Sequence, residues 1–202
     1  MTEHYYSQKP TVESKPQKWS YLLRGYRFTF TTDQGVFSKN EVDFGSRLLI
    51  ESFELPDAEG KLLDVGCGYG PIGLSLAKEF PDRIIDMVDV NERALSLSTE
   101  NARINGITNV TIFQSDALTE VRSNDYAAIL TNPPIRAGKK VVHEIFEEGY
   151  KRLTRGGELW VVIQKKQGAP SAIEKLKTLT SDVEVVTKEK GYFILKAKKT
   201  IV

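Results

Sequence analysis

The sequence predicts an α/β fold: a mostly parallel β-sheet with helices on both faces and a small β-hairpin ahead of it. Three observations carry this. From about residue 61 onward, short apolar runs alternate with segments of helical period. Runs such as Tyr126-Ala-Ala-Ile-Leu130 are apolar throughout, as strands buried on both faces are. A glycine-rich turn, Gly66-Cys-Gly68-Tyr-Gly70, joins the first of these runs to its helix.

Taken in order, residues 1–17 are polar, hold Pro10 and Pro16, and show no period, which predicts a flexible or extended arm. Two β-rich runs between Trp19 and Phe30 flank Arg24-Gly25 and predict a hairpin. Residues 35–39 read as a turn. Apolar Phe44, Leu48, Leu49 and Phe53 are spaced for an amphipathic helix. Strands are then expected at 61–65, 84–88, 110–114, 126–130 and 158–163. Helices are expected at 71–79, 92–105, 141–153 and 172–179. Pro71 falls in the first turn of its helix, where a missing N–H is harmless. Segments 183–187 and 191–198 read as an antiparallel pair around Glu189-Lys190-Gly191. The expected organisation is an arm over 1–17 and one domain over 18–202, with hairpin and helix in 18–55 and a ligand-binding core in 56–202.

Composition narrows the partners only a little. The 202 residues hold 28 Lys plus Arg against 27 Asp plus Glu, for a net charge of +1. That balance neither demands nor excludes nucleic acid, since a basic patch fits inside a neutral total. Cys67 is the only cysteine, so no intramolecular disulfide framework exists and a reducing compartment is expected. No apolar run is long enough to cross a bilayer, and the first residues lack a basic-then-apolar signal. A soluble cytoplasmic protein, monomer or homodimer, is the expectation. His4 and His143 are too far apart and too unaccompanied to suggest a metal.

Chemistry-bearing residues stand at the ends of successive strands. Gly68-Tyr-Gly70-Pro-Ile-Gly73 fits the dinucleotide pattern, with Asp89 at the distance of a ribose acid. Alone, this serves NAD or S-adenosylmethionine equally, because both need adenosine to approach the backbone closely. Asp64 shifts the balance. A carboxylate just before the glycines repels a pyrophosphate and suits the ammonium and sulfonium of S-adenosylmethionine. Asp64, Gly66, Gly68 and Asp89 are therefore candidate cofactor contacts. Asp89 can accept from both ribose hydroxyls, or it or Asn91 can cap the next helix. Asp116 can accept from an adenine amino group while the N–H of Ala117 reaches the ring, or it too can be a cap. Cys67, with no histidine beside it, reads as a small spacer and not a nucleophile.

Ile129-Leu-Thr-Asn132-Pro133-Pro134-Ile135-Arg136 names the reaction class. Two prolines stiffen the loop and push Asn132 out of helical geometry. The Asn132 side-chain oxygen and the Pro133 carbonyl can then take both protons of one NH2 group. Holding both protons localises the nitrogen lone pair for attack on a methyl carbon, with proximity supplying much of the rate. The alternative is a structural Asn-Pro turn.

With these residues in hand the chain resembles the class I S-adenosylmethionine-dependent methyltransferases that act on amino nitrogens, a Rossmann-like family. The segment from Gly35-Val-Phe-Ser through Asp43-Phe-Gly-Ser46 resembles the stretch ahead of the core in the small methyltransferase (MTS) domain of 16S ribosomal RNA guanine-N2 methyltransferases. The resemblance implies a seven-stranded sheet with one reversed strand, S-adenosylmethionine across the strand ends, and substrate contact at Asn132. It implies methyl transfer to guanine N2 in ribosomal RNA or the small ribosomal subunit. It also suggests Phe37 near the substrate, with packing under the hairpin as the other reading. Relatives often carry an aromatic residue where Ile135 stands, so Pro134, Ile135, Arg136 and Lys139 are candidate substrate contacts of another kind. Arg136 can stack on a base or hold a phosphate. Lys140, Lys165, Lys166, Arg24 and Arg27 complete a possible phosphate-binding collar. Competing readings are a protein-glutamine or DNA-adenine methyltransferase, a non-catalytic cofactor-binding module, and an NAD dehydrogenase. The last leaves Asn132-Pro-Pro unexplained.

Overall fold

The computed structural model describes residues 6–38 and 40–200. A hairpin of β1 (Gln17–Leu23) and β2 (Tyr26–Thr32) leads to α1 (Phe44–Ser52). The core follows as β3 (Lys61–Val65), α2 (Pro71–Glu79), β4 (Ile85–Asp89), α3 (Glu92–Ile104), β5 (Val110–Gln114) and β6 (Tyr126–Thr131). It ends with α4 (Lys139–Arg152), β7 (Leu153–Gln164), α5 (Ala169–Leu179), β8 (Val183–Glu189) and β9 (Tyr192–Lys198).

Strands β3 to β9 form one seven-stranded sheet in the order β5-β4-β3-β6-β7-β9-β8. Strands β3 to β7 pair in parallel, while β9 runs antiparallel to both β7 and β8, so β9 is the reversed strand. The chain winds outward from β3 to β5, then returns to lay β6 on the other side of β3. That switch opens a crevice at the strand C-termini, where α/β sheets bind ligands. Helices α1, α2 and α3 and the hairpin share one core, and α4 and α5 cover the opposite face.

Where boundaries carry a chemical mark, the expected elements match. Pro71 begins α2 directly after Gly70. Asp43 caps α1, its Oδ2 accepting the Ser46 N–H at 3.0 Å. The α4–β7 boundary differs from expectation. The helix ends at Arg152 and Leu153 is already strand, so β7 starts five residues before the expected Glu158. Leu153 pairs with Tyr126, and the register then shifts so that Glu158 pairs with Ala128, with Gly156 at φ 76° between them.

The hairpin turns through Arg24 (φ 50°) and Gly25 (φ 79°), the left-handed pair that suits a two-residue turn. Its position depends on α3. Alternate residues of β2 present N–H and C=O to the edge that β1 does not use. Asn101 accepts the Thr31 N–H at 2.7 Å and donates to the Thr31 carbonyl at 3.0 Å. Asn105 does the same at Thr29, with both contacts at 2.9 Å. Four helical residues rise about 6 Å and two strand residues about 6.8 Å, so the spacings match. Arg24 is a correction to the collar expected from sequence. Its guanidinium is spent on Glu79 and on the carbonyls of Ile50 and Phe53, tying the turn to α1 and α2.

Of the arm, residues 1–5, His4 among them, lie outside the described residues. Residues 6–16 have no regular structure but are tied to the core. The Ser14 hydroxyl and Lys15 N–H both donate to buried Asp33 at 2.6 Å. Arg93 donates to the Val12 carbonyl at 2.9 Å, and the Glu92 N–H donates to the Gln8 carbonyl at 3.0 Å. Among the described residues no helix is long and apolar enough to cross a membrane, and no cluster of His, Cys, Asp and Glu could hold a metal ion.

Candidate active site

The crevice holds a cavity of about 950 Å³ of empty space, mouth included, lined by the ends of β3, β4, β5 and β6 and by the segment ahead of α1. The glycine loop forms its floor. Gly68 sits at φ 58° and donates its N–H to Asp89 Oδ2 at 2.8 Å. Gly73 answers a different need: a Cβ there would meet Met87 Cγ at 2.7 Å, so only glycine lets α2 approach β4 this closely. Cys67 is buried and burial pushes its thiol pKa well up, as a spacer requires and a nucleophile does not.

Asp89 lines the cavity, its Oδ1 accepting the Asn91 N–H at 2.9 Å. Asn91, not Asp89, caps α3 by accepting the Ala94 N–H at 3.1 Å. Of the two candidate caps, Asn91 is the one used. Burial raises the Asp89 pKa, although the N–H groups of Asn91, Gly68 and Val90 pull the other way.

Asp64 is set behind the floor and not on the cavity lining. It is fully buried, its Oδ2 accepts the Gly73 N–H at 2.9 Å, and its Oδ1 has no partner. Desolvation, and secondarily the charge of Asp89, pushes its carboxyl up to about 7, against the pull of the Gly73 N–H. No helix follows Asp116 to be capped. Its exposed side chain is off the cavity lining, but its Oδ1 accepts at 3.0 Å from the hydroxyl of Tyr6, which does line the cavity. Its neighbours Ser115 and Ala117 do line the cavity, Ala117 in a left-handed conformation at φ 49°.

Asn132 lies where this cavity meets a wider outer recess of about 1530 Å³, mouth included, and it lines both together with Phe37 and Pro133. Its Nδ2 donates to Asp43 Oδ2 and to Ser46 Oγ, each at 3.0 Å. A carboxylate can only accept, so the pair fixes which end of the amide is NH2. The amide oxygen is left as the free acceptor. Asp43 and Ser46 are site residues that sequence reasoning missed. Both lie in the segment that resembles the small methyltransferase domain, but nothing in that segment hinted at a partner 89 residues away.

The expected substrate residues divide. Pro134 lines the inner cavity, while Ile135 and Arg136 line the outer recess. Phe37 is 43% exposed at the junction and is not packed under the hairpin. Lys139 is exposed at the start of α4 and lines neither space, because the turn at Gly138 (φ 101°) carries it outward. Gln164 and Tyr192, paired across β7 and β9, also face the outer recess and were not anticipated.

A family model described as the methyltransferase small domain matches residues 27–196. The chain belongs to that family. It is a family of S-adenosylmethionine-dependent methyltransferases, and the fold is theirs. Among relatives, the chain is 68% identical over 200 residues to an uncharacterized protein, YbxB, of Bacillus subtilis (strain 168), covering 98% of this chain and 100% of that one. It is 35% identical over 170 residues to a ribosomal RNA small subunit methyltransferase C of Vibrio parahaemolyticus, covering 82% of this chain and 48% of the relative. This small-domain chain thus spans about half the length of that methyltransferase. A solved T. thermophilus 16S rRNA N2 methyltransferase, in complex with AdoMet and guanosine, superposes with a TM-score of 0.82 at 24% identity, covering 94% of this chain and 52% of that one.

Proposed function

We propose that this chain transfers a methyl group from S-adenosylmethionine to an exocyclic amino nitrogen of a base in ribosomal RNA, and that guanine N2 of the small-subunit RNA is the acceptor. One observation carries the reading: the Asn132 amide is locked by Asp43 and Ser46 so that its oxygen is the free acceptor at the junction of two cavities. The names of the ribosomal RNA methyltransferases that match about half their length here supply the substrate class.

The residues present fit the cofactor. A Cβ at Gly66 or Gly68 would meet nothing within 4 Å, so glycine there leaves open the space that adenosine takes. Asp89 keeps spare acceptor capacity for ribose hydroxyls. The unpartnered Oδ1 of Asp64 supplies negative charge behind the loop. The N–H of Ala117 serves the adenine. When bound, S-adenosylmethionine supplies an electrophilic methyl on a sulfonium that leaves as a neutral thioether.

The chain's part is to hold the acceptor. The Asn132 Oδ1 takes one amino proton and the Pro133 carbonyl the other, which confines the nitrogen lone pair along the line to the methyl carbon. The C–N bond forms as the S–C bond breaks, and the positive charge passes to nitrogen. The extra proton is then acidic enough to leave to water, so no strong base is needed. Phe37, Pro134, Ile135 and Arg136 border the path of the incoming nucleotide.

The test is nucleoside analysis of ribosomal RNA from cells lacking the gene, paired with transfer assays on ribosomal RNA from those cells. Loss of N2-methylguanosine at one position, restored by the wild-type chain but not by Asn132→Ala, is the expected result. Asp43→Ala should lower turnover by about a hundredfold, the effect of misplacing a reacting group by about 1 Å, with cofactor affinity retained. An unchanged RNA profile moves the acceptor to a protein glutamine or DNA adenine. Normal transfer by Asn132→Ala refutes the mechanism.

A further inference from the structure

The arm over residues 6–16 lies outside the part of the chain that the family model matches, yet it is built onto the cofactor cavity. Its anchors are polar groups of the core. The Glu92 N–H, an orphan donor at the start of α3, finds the Gln8 carbonyl. Buried Asp33 accepts from the Ser14 hydroxyl and the Lys15 N–H, as well as from the Gln34 N–H beside it. Arg93 bridges the Val12 and Gln34 carbonyls. Gly35 admits the arm at close range, since a Cβ there would meet Pro10 Cβ at 2.8 Å. Beyond these anchors, Tyr6 lines the cavity beside Ala117, with its hydroxyl on Asp116.

We propose that this arm is a strap retaining the cofactor, and that Tyr6 is a further cofactor-binding residue closing the adenosyl end of the cavity. The inference rests on the orientation proposed above, with ribose at Asp89 and adenine toward Ala117. The strap is a cover and not a plug, because the cavity remains open from the glycine loop to Asn132 with Tyr6 in its lining. The Tyr6–Asp116 bond latches it: one carboxylate oxygen holds the hydroxyl and the other is left to accept from an adenine amino group. An aromatic ring at this edge presents its face or flank to the base, the sequence-tolerant contact aromatic residues make with nucleobases. Product S-adenosylhomocysteine has the same adenosine, so the strap also governs its release.

Binding and dissociation of S-adenosylmethionine and S-adenosylhomocysteine test this directly. They would be measured by calorimetry and stopped-flow displacement, with urea midpoints as a folding check. Tyr6→Ala should dissociate both ligands about five-fold faster or more, the lower end of what one lost base–aromatic contact gives. Tyr6→Phe should fall between Tyr6→Ala and wild type. Arg93→Gln, which cuts an anchor off the cavity lining, should shift dissociation in the same direction. Tighter or unchanged binding by Tyr6→Ala overturns the strap, and so does Arg93→Gln at the wild-type rate. Asp89→Ala separates the two levels: if it binds normally, the cofactor orientation itself has failed, whereas weak binding by Asp89→Ala with wild-type Tyr6→Ala removes the strap alone.

Discussion

Asp64 shows how a single buried carboxyl couples the fold to its ligand. Its folded pKa of about 7 stands well above the value of an unfolded aspartate, about 3.9. Between those values the folded state keeps a proton that the unfolded state has released. Stability therefore falls as pH rises through the window, by up to about 1.4 kcal/mol per pH unit. Asp89, also raised by burial, acts in the same direction. A cationic ligand reverses the preference by favouring the ionised form. Urea unfolding from about pH 4 to about pH 7, roughly the window between those two values, should show declining stability in the wild type and a flatter profile in Asp64→Asn. Cofactor affinity should rise with pH across the same range, with proton release visible as a buffer-dependent binding enthalpy. A pH-independent affinity with no proton release would remove Asp64 from the site.

At the scale of elements, Asn101 of α3 and Asn105, which caps its C-terminus, decide whether the hairpin stays docked. Asn101 is fully buried, and its Nδ2 also reaches the Tyr69 carbonyl in the glycine loop at 2.8 Å. Tyr69 in turn packs edge-on against Trp19 and Phe30 of the hairpin. Asn101→Ala strands the Thr31 N–H and two carbonyls, at a cost of about 2–3 kcal/mol. Asn105→Ala, at a half-exposed position, should cost about 1 kcal/mol. Urea midpoints check both, and a cost below about 0.5 kcal/mol for Asn101→Ala would mean that water replaces the amide. The same contacts explain what was legible in the sequence. Strand ends, the glycine loop and Asn132 were readable because local pattern places them. The α4–β7 boundary was not, since nothing at Arg152-Leu153 breaks a helix before Gly156-Gly157. Nor were Asp43, Tyr6 or the true partners of Arg24, because each meets its partner only after the sheet has assembled, across 89, 110 and 55 residues.

Over the whole molecule, near-neutral charge hides an uneven placement of cations. Arg136 follows β6, Lys165 and Lys166 follow β7, and Lys190 sits in the β8–β9 turn. The reversal of β9 brings that turn to the C-terminal end of β7, where Gln164 pairs with Tyr192. Arg136 lines the outer recess, and Lys165 and Lys166 lie in the chain between Gln164 and Gln167, which line it too. Arg136, Lys165 and Lys166 are exposed, and none of the three has an ion pair within 4.0 Å among the described residues. Lys190 instead lies 4.8 Å from the Phe44 ring centroid. Arg24, already paired with Glu79, adds nothing to this set. Phosphate contacts release counterions, each contributing about 0.7 to the salt slope of single-stranded binding. If Lys165 and Lys166 each hold a phosphate, Lys165→Glu/Lys166→Glu should raise the RNA KM several-fold at low salt. It should also flatten the slope of log affinity against log salt by about 1.4. Turnover at saturating RNA and cofactor affinity should stay at wild-type values, because neither lysine lines the inner cavity. An unchanged salt slope would show that the RNA approaches from another side, with the hairpin edge at Leu22, Tyr26 and Arg27 as the next surface to test.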